Sequence, residues 1–144
     1  MSTLQAGTGL TDRLGTRPLL GAAWLVALAA TGGSLYLSEV LGLVPCELCW
    51  VQRIFAYPLV VVLGVATVEG RATVVRSVLP LSTLGAATAA YHSYLQATTT
   101  STTCGGAVSC GAVQYQLLGL SVPNLALTAF LLIGAGSLLA WLGQ

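Results

Sequence analysis

Of the 144 residues, 56% are hydrophobic and only 6% are Asp, Glu, Lys or Arg, with a net charge of +1. A soluble domain carries roughly 25% charged residues, so this chain cannot coat a water-exposed surface, and high charge with low hydrophobicity, the mark of disorder, is absent too. Five scattered Arg make no basic face for a nucleic acid, which leaves a small integral membrane protein of one domain.

A membrane span needs roughly 20 mostly apolar residues, and four stretches qualify. The first predicted helix covers about 18–37, uncharged, with Pro18 in its first turn. A short connection, 38–49, carries Glu39, Glu47 and a C-x-x-C. The second helix covers about 50–68 and holds one charge, Arg53; a turn at 69–76 with Arg71 and Arg76 leads to the third, about 77–96, with His92 near its end. The longest connection, 97–120, is rich in Thr, Ser and Gly and reads as an exposed loop. The fourth helix covers about 121–142. In lipid every backbone polar group must be paired within the segment, so these runs are helices. Alternating strands of a barrel are not seen. The expected fold class is all-α, a four-transmembrane-helix bundle. Pro58 and Pro80 are expected to kink their helices.

Orientation follows the arginines. Arg13 and Arg17 precede the first helix, and Arg71 and Arg76 lie between the second and third. Both termini and the 69–76 turn are therefore expected in the cytoplasm of a plasma-membrane protein, with 38–49 and 97–120 outside. Arg13, Arg17, an apolar run and Ala27-Leu28-Ala29 also resemble a signal peptide. The apolar run continues to Leu37, which favours an uncleaved first span.

All four cysteines, Cys46, Cys49, Cys104 and Cys110, fall in the two outer connections. That is the side where disulfides form and persist. Cys49 opens the second helix, where unpaired N–H groups and the helix dipole favour a thiolate. A thiolate attacks disulfides and donates electrons. Cys104 and Cys110 are separated by five residues, Gly105 and Gly106 among them, a pliable segment able to reach a partner and then the first pair. The same four cysteines could instead form two structural disulfides in a non-enzymatic membrane protein. A zinc site is disfavoured, because a second C-x-x-C is missing and the compartment is oxidising. No metal is expected.

Arg53 follows Cys49 by four residues, on nearly the same helix face. An Arg inside a span is a functional candidate, here a cation beside a thiolate or a reduced acceptor, although it is shallow enough to snorkel. His92 lies at similar depth, with Gln96 one turn further on the same face. It reads either as an interfacial hydrogen-bonder or as a donor to a ligand carbonyl. Trp50, Tyr91 and Tyr94 fit an interfacial aromatic belt at least as well as a pocket, and Glu47 is expected to be solvated. Nucleotide, haem-attachment and flavin motifs are absent. A dithiol at a membrane surface then needs a lipid-soluble electron acceptor, of which a quinone is the common one.

Pro45-Cys46-Glu47-Leu48-Cys49-Trp50-Val51-Gln52-Arg53, His92-Ser93-Tyr94-Leu95-Gln96 and the Cys104/Cys110 pair before the last helix resemble the disulfide bond formation protein B (DsbB) family. The vitamin K epoxide reductase family has a similar chemistry, but its C-x-x-C follows the other cysteine pair. The spacing of Cys104 and Cys110 is that of the short Gram-positive and archaeal members, without the long membrane-skimming segment of the best-known ones. The resemblance implies a quinone-dependent oxidoreductase. The Cys104–Cys110 disulfide would be attacked through Cys104 by a reduced extracytoplasmic thioredoxin-fold protein of the DsbA type. Electrons would pass to Cys46–Cys49 by a transient Cys46–Cys110 bridge, and Cys49 would form the thiolate–quinone adduct. Arg53, His92 and Gln96 would bind the quinone. The absence of Lys and the abundance of Ala, Gly, Val and Thr suggest a GC-rich genome, and with it menaquinone over ubiquinone.

Overall fold

The structure, a computed structural model, describes residues 2–98 and 110–143, with side chains from Gly15 onward. Four α-helices make its body: α1 (Ser2–Glu39), α2 (Glu47–Glu69), α3 (Val75–Thr98) and α4 (Val122–Leu142). A single 3-10 turn, Ala72–Val74, leads into α3. The all-helical expectation needs one amendment. Strands β1 (Gln116–Leu117) and β2 (Leu120–Ser121) pair antiparallel in a minimal hairpin. Its turn holds Leu118 at φ 54 and Gly119 at φ 79. Two consecutive positive φ angles match the twist of a two-residue hairpin turn. Such a turn usually announces itself as Asn-Gly, and here only the glycine is present.

Helix α1 begins well before its apolar run, so Pro18 lies inside the helix rather than in its first turn. Helices α2 and α3 likewise run on through Pro58 and Pro80. Helix α2 stops at Gly70, whose φ of 67 a side chain would strain, and whose N–H closes on the Ala66 carbonyl at 2.8 Å. The Arg17 Nη2 donates to the Val68 carbonyl at 3.1 Å. That bond ties α1 to the end of α2 opposite the cysteines.

The helices close into a ring in which α1 packs on α2 and α4, and α3 on the same two neighbours. Short connections make sequential helices antiparallel. Small residues set the spacing. A Cβ on Gly85 of α3 would lie 2.4 Å from the Phe130 ring of α4, and one on Gly64 of α2 would lie 3.0 Å from the Trp24 indole nitrogen of α1. Such close approach is the usual source of helix association in lipid, where contact rather than the hydrophobic effect holds helices together. Leu20, Leu59, Leu63, Val78, Phe130 and Ile133 fill the centre.

The outside is apolar too. Leu25, Ile54, Val61, Leu84, Leu131 and Leu139 are each more than half exposed. Apolar surface on that scale is covered by something other than water. Gly15–Glu39, Glu47–Glu69 and Val122–Leu142 are long and apolar enough to cross a membrane. Helix α3 is not among them. Ser77, Ser82, Thr83, Thr88, His92, Ser93 and Gln96 dilute it.

Candidate redox site

The site forms at the end of the bundle remote from Gly70. Gly42 at φ 68 helps turn the chain after α1. Pro45 follows, and Cys46 becomes the N-cap of α2 at φ −73, ψ 172. From that position its Sγ lies 3.0 Å from the Sγ of Cys49, and both are free thiols. The sulfur of Cys46 also lies 3.7 Å from Nε2 of His92 on α3. Cys46, Leu95 and Cys110 form a small buried cluster against Leu48 and Cys49.

Cys46 is the sulfur best placed to carry charge. Its hydrogen bond with the Cys49 sulfur outweighs its burial, and the His92 ring adds a donor. Together they lower its thiol from the ordinary 9.0 to about 4. The sequence reading placed the thiolate on Cys49, from the helix start alone. In the structure the two sulfurs share one contact, in which either can donate, and Cys46 alone of the two also meets His92.

His92 faces the bundle and is buried, 2% exposed. Its Nε2 lies 3.0 Å from the carbonyl oxygen of Cys110, and its Nδ1 lies 3.1 Å from the amide nitrogen of Gln52. A carbonyl only accepts and an amide N–H only donates, so the proton sits on Nε2. His92 thus touches both cysteine segments. Cys110 is fully buried and disulfide-bonded. Cys104, Gly105 and Gly106 lie outside the described residues.

Arg53 is buried and turned toward α1. Its Nε donates to the Ser34 hydroxyl at 2.9 Å, and its Nη2 to the Ser34 carbonyl at 2.8 Å and to the Ser38 hydroxyl. Its guanidinium carbon is 5.2 Å from the centre of the Trp50 ring, a cation–π distance. The charge is therefore held inside the bundle, with no side chain left to snorkel. Gln96 donates to the Ala112 carbonyl at 3.2 Å, and its own oxygen has no partner. Trp50, Tyr91 and Tyr94 are more than half exposed, as a belt would be, and Glu47 is exposed.

These groups share a cavity of about 590 Å³, within the ordinary range for a small-molecule site. Its polar end holds Cys46, Cys49, Arg53, Ser34, Ser38 and His92. Its depth is walled by Val26, Ala27, Ala126, Ala129, Phe130 and Ile133, from α1 and α4. Thr31 lines it as well, and its buried hydroxyl has no hydrogen-bond partner. The shape suits a ligand with a polar head and an apolar tail. The two sulfurs and His92 Nε2 lie within 4.8 Å of one another. Such a cluster can suit a soft cation, but Nε2 here carries a proton rather than a free lone pair.

The family model of disulfide bond formation protein DsbB matches residues 16–140. The chain belongs to the DsbB family. It is 44% identical over 119 residues to disulfide bond formation protein C of Bacillus subtilis, covering 79% of this chain and 86% of that one. It is 45% identical over 132 residues to a probable disulfide formation protein of Deinococcus radiodurans, covering 83% and 84%. A probable disulfide formation protein C of Halalkalibacterium halodurans is 39% identical over 126 residues, covering 84% and 91%. No solved structure matches. With three helices able to span a bilayer, this DsbB-family member is a multi-pass membrane protein of the disulfide-forming, oxidoreductase class.

Gln52, Ser34 and Ser38 were not singled out from the sequence. Gln52 carried a usable signal, an amide in an otherwise apolar span, whose burial demands a partner. The two serines carried none, because Ser is common in helices that pack closely.

Proposed function

We propose that the chain is a thiol:quinone oxidoreductase that re-oxidises an extracytoplasmic DsbA-like thioredoxin-fold protein and passes the electrons to a membrane quinone, menaquinone in preference to ubiquinone. The observation that carries this reading is the position of the free Cys46/Cys49 pair. It forms part of the wall of a deep cavity whose inner walls are apolar. A structural disulfide has no use for such an opening.

The electron path is a sequence of exchanges. The partner's two thiols reduce the Cys104–Cys110 disulfide and become a disulfide themselves. The reduced pair then transfers the same two electrons to a Cys46–Cys49 disulfide, which opens to two thiols. Free thiols at Cys46 and Cys49 with Cys110 disulfide-bonded correspond to the stage at which the first pair holds the electrons. A quinone supplies the sink by taking two electrons and two protons. Cys46 and Cys49 close their disulfide as they give up those electrons. Arg53, held by Ser34 and Ser38, presents fixed positive charge at the polar end of the cavity, where negative charge develops on reduction. Thr31 and Gln96 line the same cavity, each with a buried polar atom that has no partner.

The same reading makes α3 a fourth span. Its hydroxyls hide their polarity by donating to their own helix: Ser82 to Leu79, Thr88 to Leu84 and Thr98 to Tyr94, at 3.1, 2.9 and 2.8 Å. Arg17, Arg71 and Arg76 then mark the cytoplasmic side, and the cysteines the outer side.

The test is turnover in detergent with a reduced thioredoxin-like dithiol protein and a soluble quinone, followed by the quinone's ultraviolet absorbance. Wild type should consume quinone in step with dithiol, and Cys49→Ser should not. Wild type that leaves both naphtho- and benzoquinones untouched would overturn the reading.

A further inference from the structure

The Gln52–His92 pair is buried on both sides, at 6% and 2% exposure, inside a helix bundle where an unpaired polar group is expensive. Gln52 lies one turn from Cys49, on α2, and His92 reaches across from α3. The ring accepts at Nδ1 from the Gln52 amide at 3.1 Å. Its other nitrogen lies between two acceptors, the Cys110 carbonyl at 3.0 Å and the Cys46 sulfur at 3.7 Å.

We propose that Gln52 is a positioning residue that holds His92 as its Nε2–H tautomer, so that one N–H is shared between the Cys46 sulfur and the carbonyl of Cys110. This rests on the oxidoreductase reading for its purpose, but its chemistry stands on the geometry alone. Without the Gln52 donor, Nδ1 would be a buried lone pair with no partner. A proton moved to Nδ1 would be just as unpartnered, so the ring sheds that cost only by turning to another partner, which takes Nε2–H away from the sulfur and the carbonyl. A thiolate at Cys46 then loses its donor. With Gln52 present, Nε2–H stabilises a negative Cys46 while the ring itself stays neutral. When Cys46 is charged it draws the N–H. When Cys46 is in a disulfide the carbonyl of Cys110 keeps it. The proton remains on Nε2 in both.

The groups around His92 leave little competition for this role. Helix α2 contributes Cys46, Cys49 and Gln52, and the segment before α4 contributes the backbone of Cys110. Arg53 is the only charged side chain in the cavity wall among the described residues, and it is engaged by Ser34 and Ser38. The phenols of Tyr36, Tyr57 and Tyr115 also line that wall.

His92 is the only histidine in the chain, so its ring nitrogens can be read without ambiguity. The experiment is ¹⁵N NMR of full-length protein labelled at histidine, purified without a histidine tag, with the Cys46/Cys49 pair reduced. Wild type should show a pyrrole-type Nε2 and a pyridine-type Nδ1. Gln52→Leu should move both signals, Nδ1 losing its donor and Nε2–H its fixed acceptors as the ring turns. In a Cys49→Ser background, where Cys46 is the remaining free thiol, Gln52→Leu should raise the midpoint of its thiolate absorbance by about one pH unit, roughly a tenfold loss of thiolate at fixed pH. An Nδ1–H ring in wild type, or ring signals unmoved by Gln52→Leu, overturns the proposal. The wild-type spectrum decides even if Gln52→Leu fails to fold. None of these readouts needs quinone. A wild type that shows the Nε2–H ring but reduces no quinone overturns the oxidoreductase reading and leaves the Gln52 assignment standing.

Discussion

Arg53 binds Ser34 twice, through its hydroxyl at 2.9 Å and its backbone carbonyl at 2.8 Å. A guanidinium makes both bonds from two nitrogens held in a fixed planar fork, a geometry that the single nitrogen of an ammonium does not reproduce. The contact joins α2 to α1 at the mouth of the cavity. Ser34→Ala should therefore lower stability by about 1.5–3 kcal/mol, the usual worth of a hydrogen bond to a charged group. Arg53→Lys should recover little of the quinone turnover lost in Arg53→Ala, where a loss of tenfold or more is expected. Thermal unfolding in detergent and quinone-reduction rates check the two halves separately.

The lowered thiol of Cys46 has a defined pH signature. Its native value is about 4 against an ordinary 9.0, so between those limits the folded state holds one proton fewer than the unfolded state. Stability of the reduced protein should rise with pH across that window and be complete above it. It should be lost as pH falls through about 4. Thiolate absorbance at Cys46, followed from neutral pH down, should persist at pH values where an ordinary thiol is fully protonated. A midpoint near the ordinary value would show that the Cys49 and His92 contacts do not hold in solution.

Gly85→Ala tests the α3–α4 packing. The new methyl would meet the Phe130 ring at 2.4 Å, and that ring is itself buried at 5% exposure. Neither can move without disturbing the core, so overpacking should cost about 1–3 kcal/mol. The check is a lower unfolding temperature for Gly85→Ala than for Ala86→Gly, which makes no such clash.

Ala126→Leu should separate the cavity from the thiols. Ala126 lines the deep apolar wall contributed by α4, away from the sulfurs. Added bulk there should raise the quinone KM several-fold and leave the thiolate midpoint of Cys46 where it was. Equal KM in wild type and variant would show that the apolar end of the cavity is not used by the quinone.

Much of the architecture was legible because a bilayer imposes blunt rules. Long apolar runs become helices, and scarce charge has to be accounted for residue by residue. The weak points were physical too. Helix α3 hides its hydroxyls in bonds to its own backbone, a pairing that hydropathy does not register. The 116–121 hairpin rests on two residues of positive φ, one of them a leucine, which no turn rule expects. Helix α1 continues N-terminal to Pro18 because one lost backbone bond does not end a helix.

The sequence by itself determined the membrane setting, the C-x-x-C, Arg53 one turn beyond it and the second cysteine pair, since these depend on composition and on spacing along one chain. The tertiary structure alone decided that Cys46 meets His92, that Arg53 is clamped by Ser34 and Ser38, and that Gln52 and His92 meet. Those contacts join residues 15–46 positions apart. Periodicity within one helix carries no record of which face of a distant helix it will meet; the packing of small residues between helices settles that.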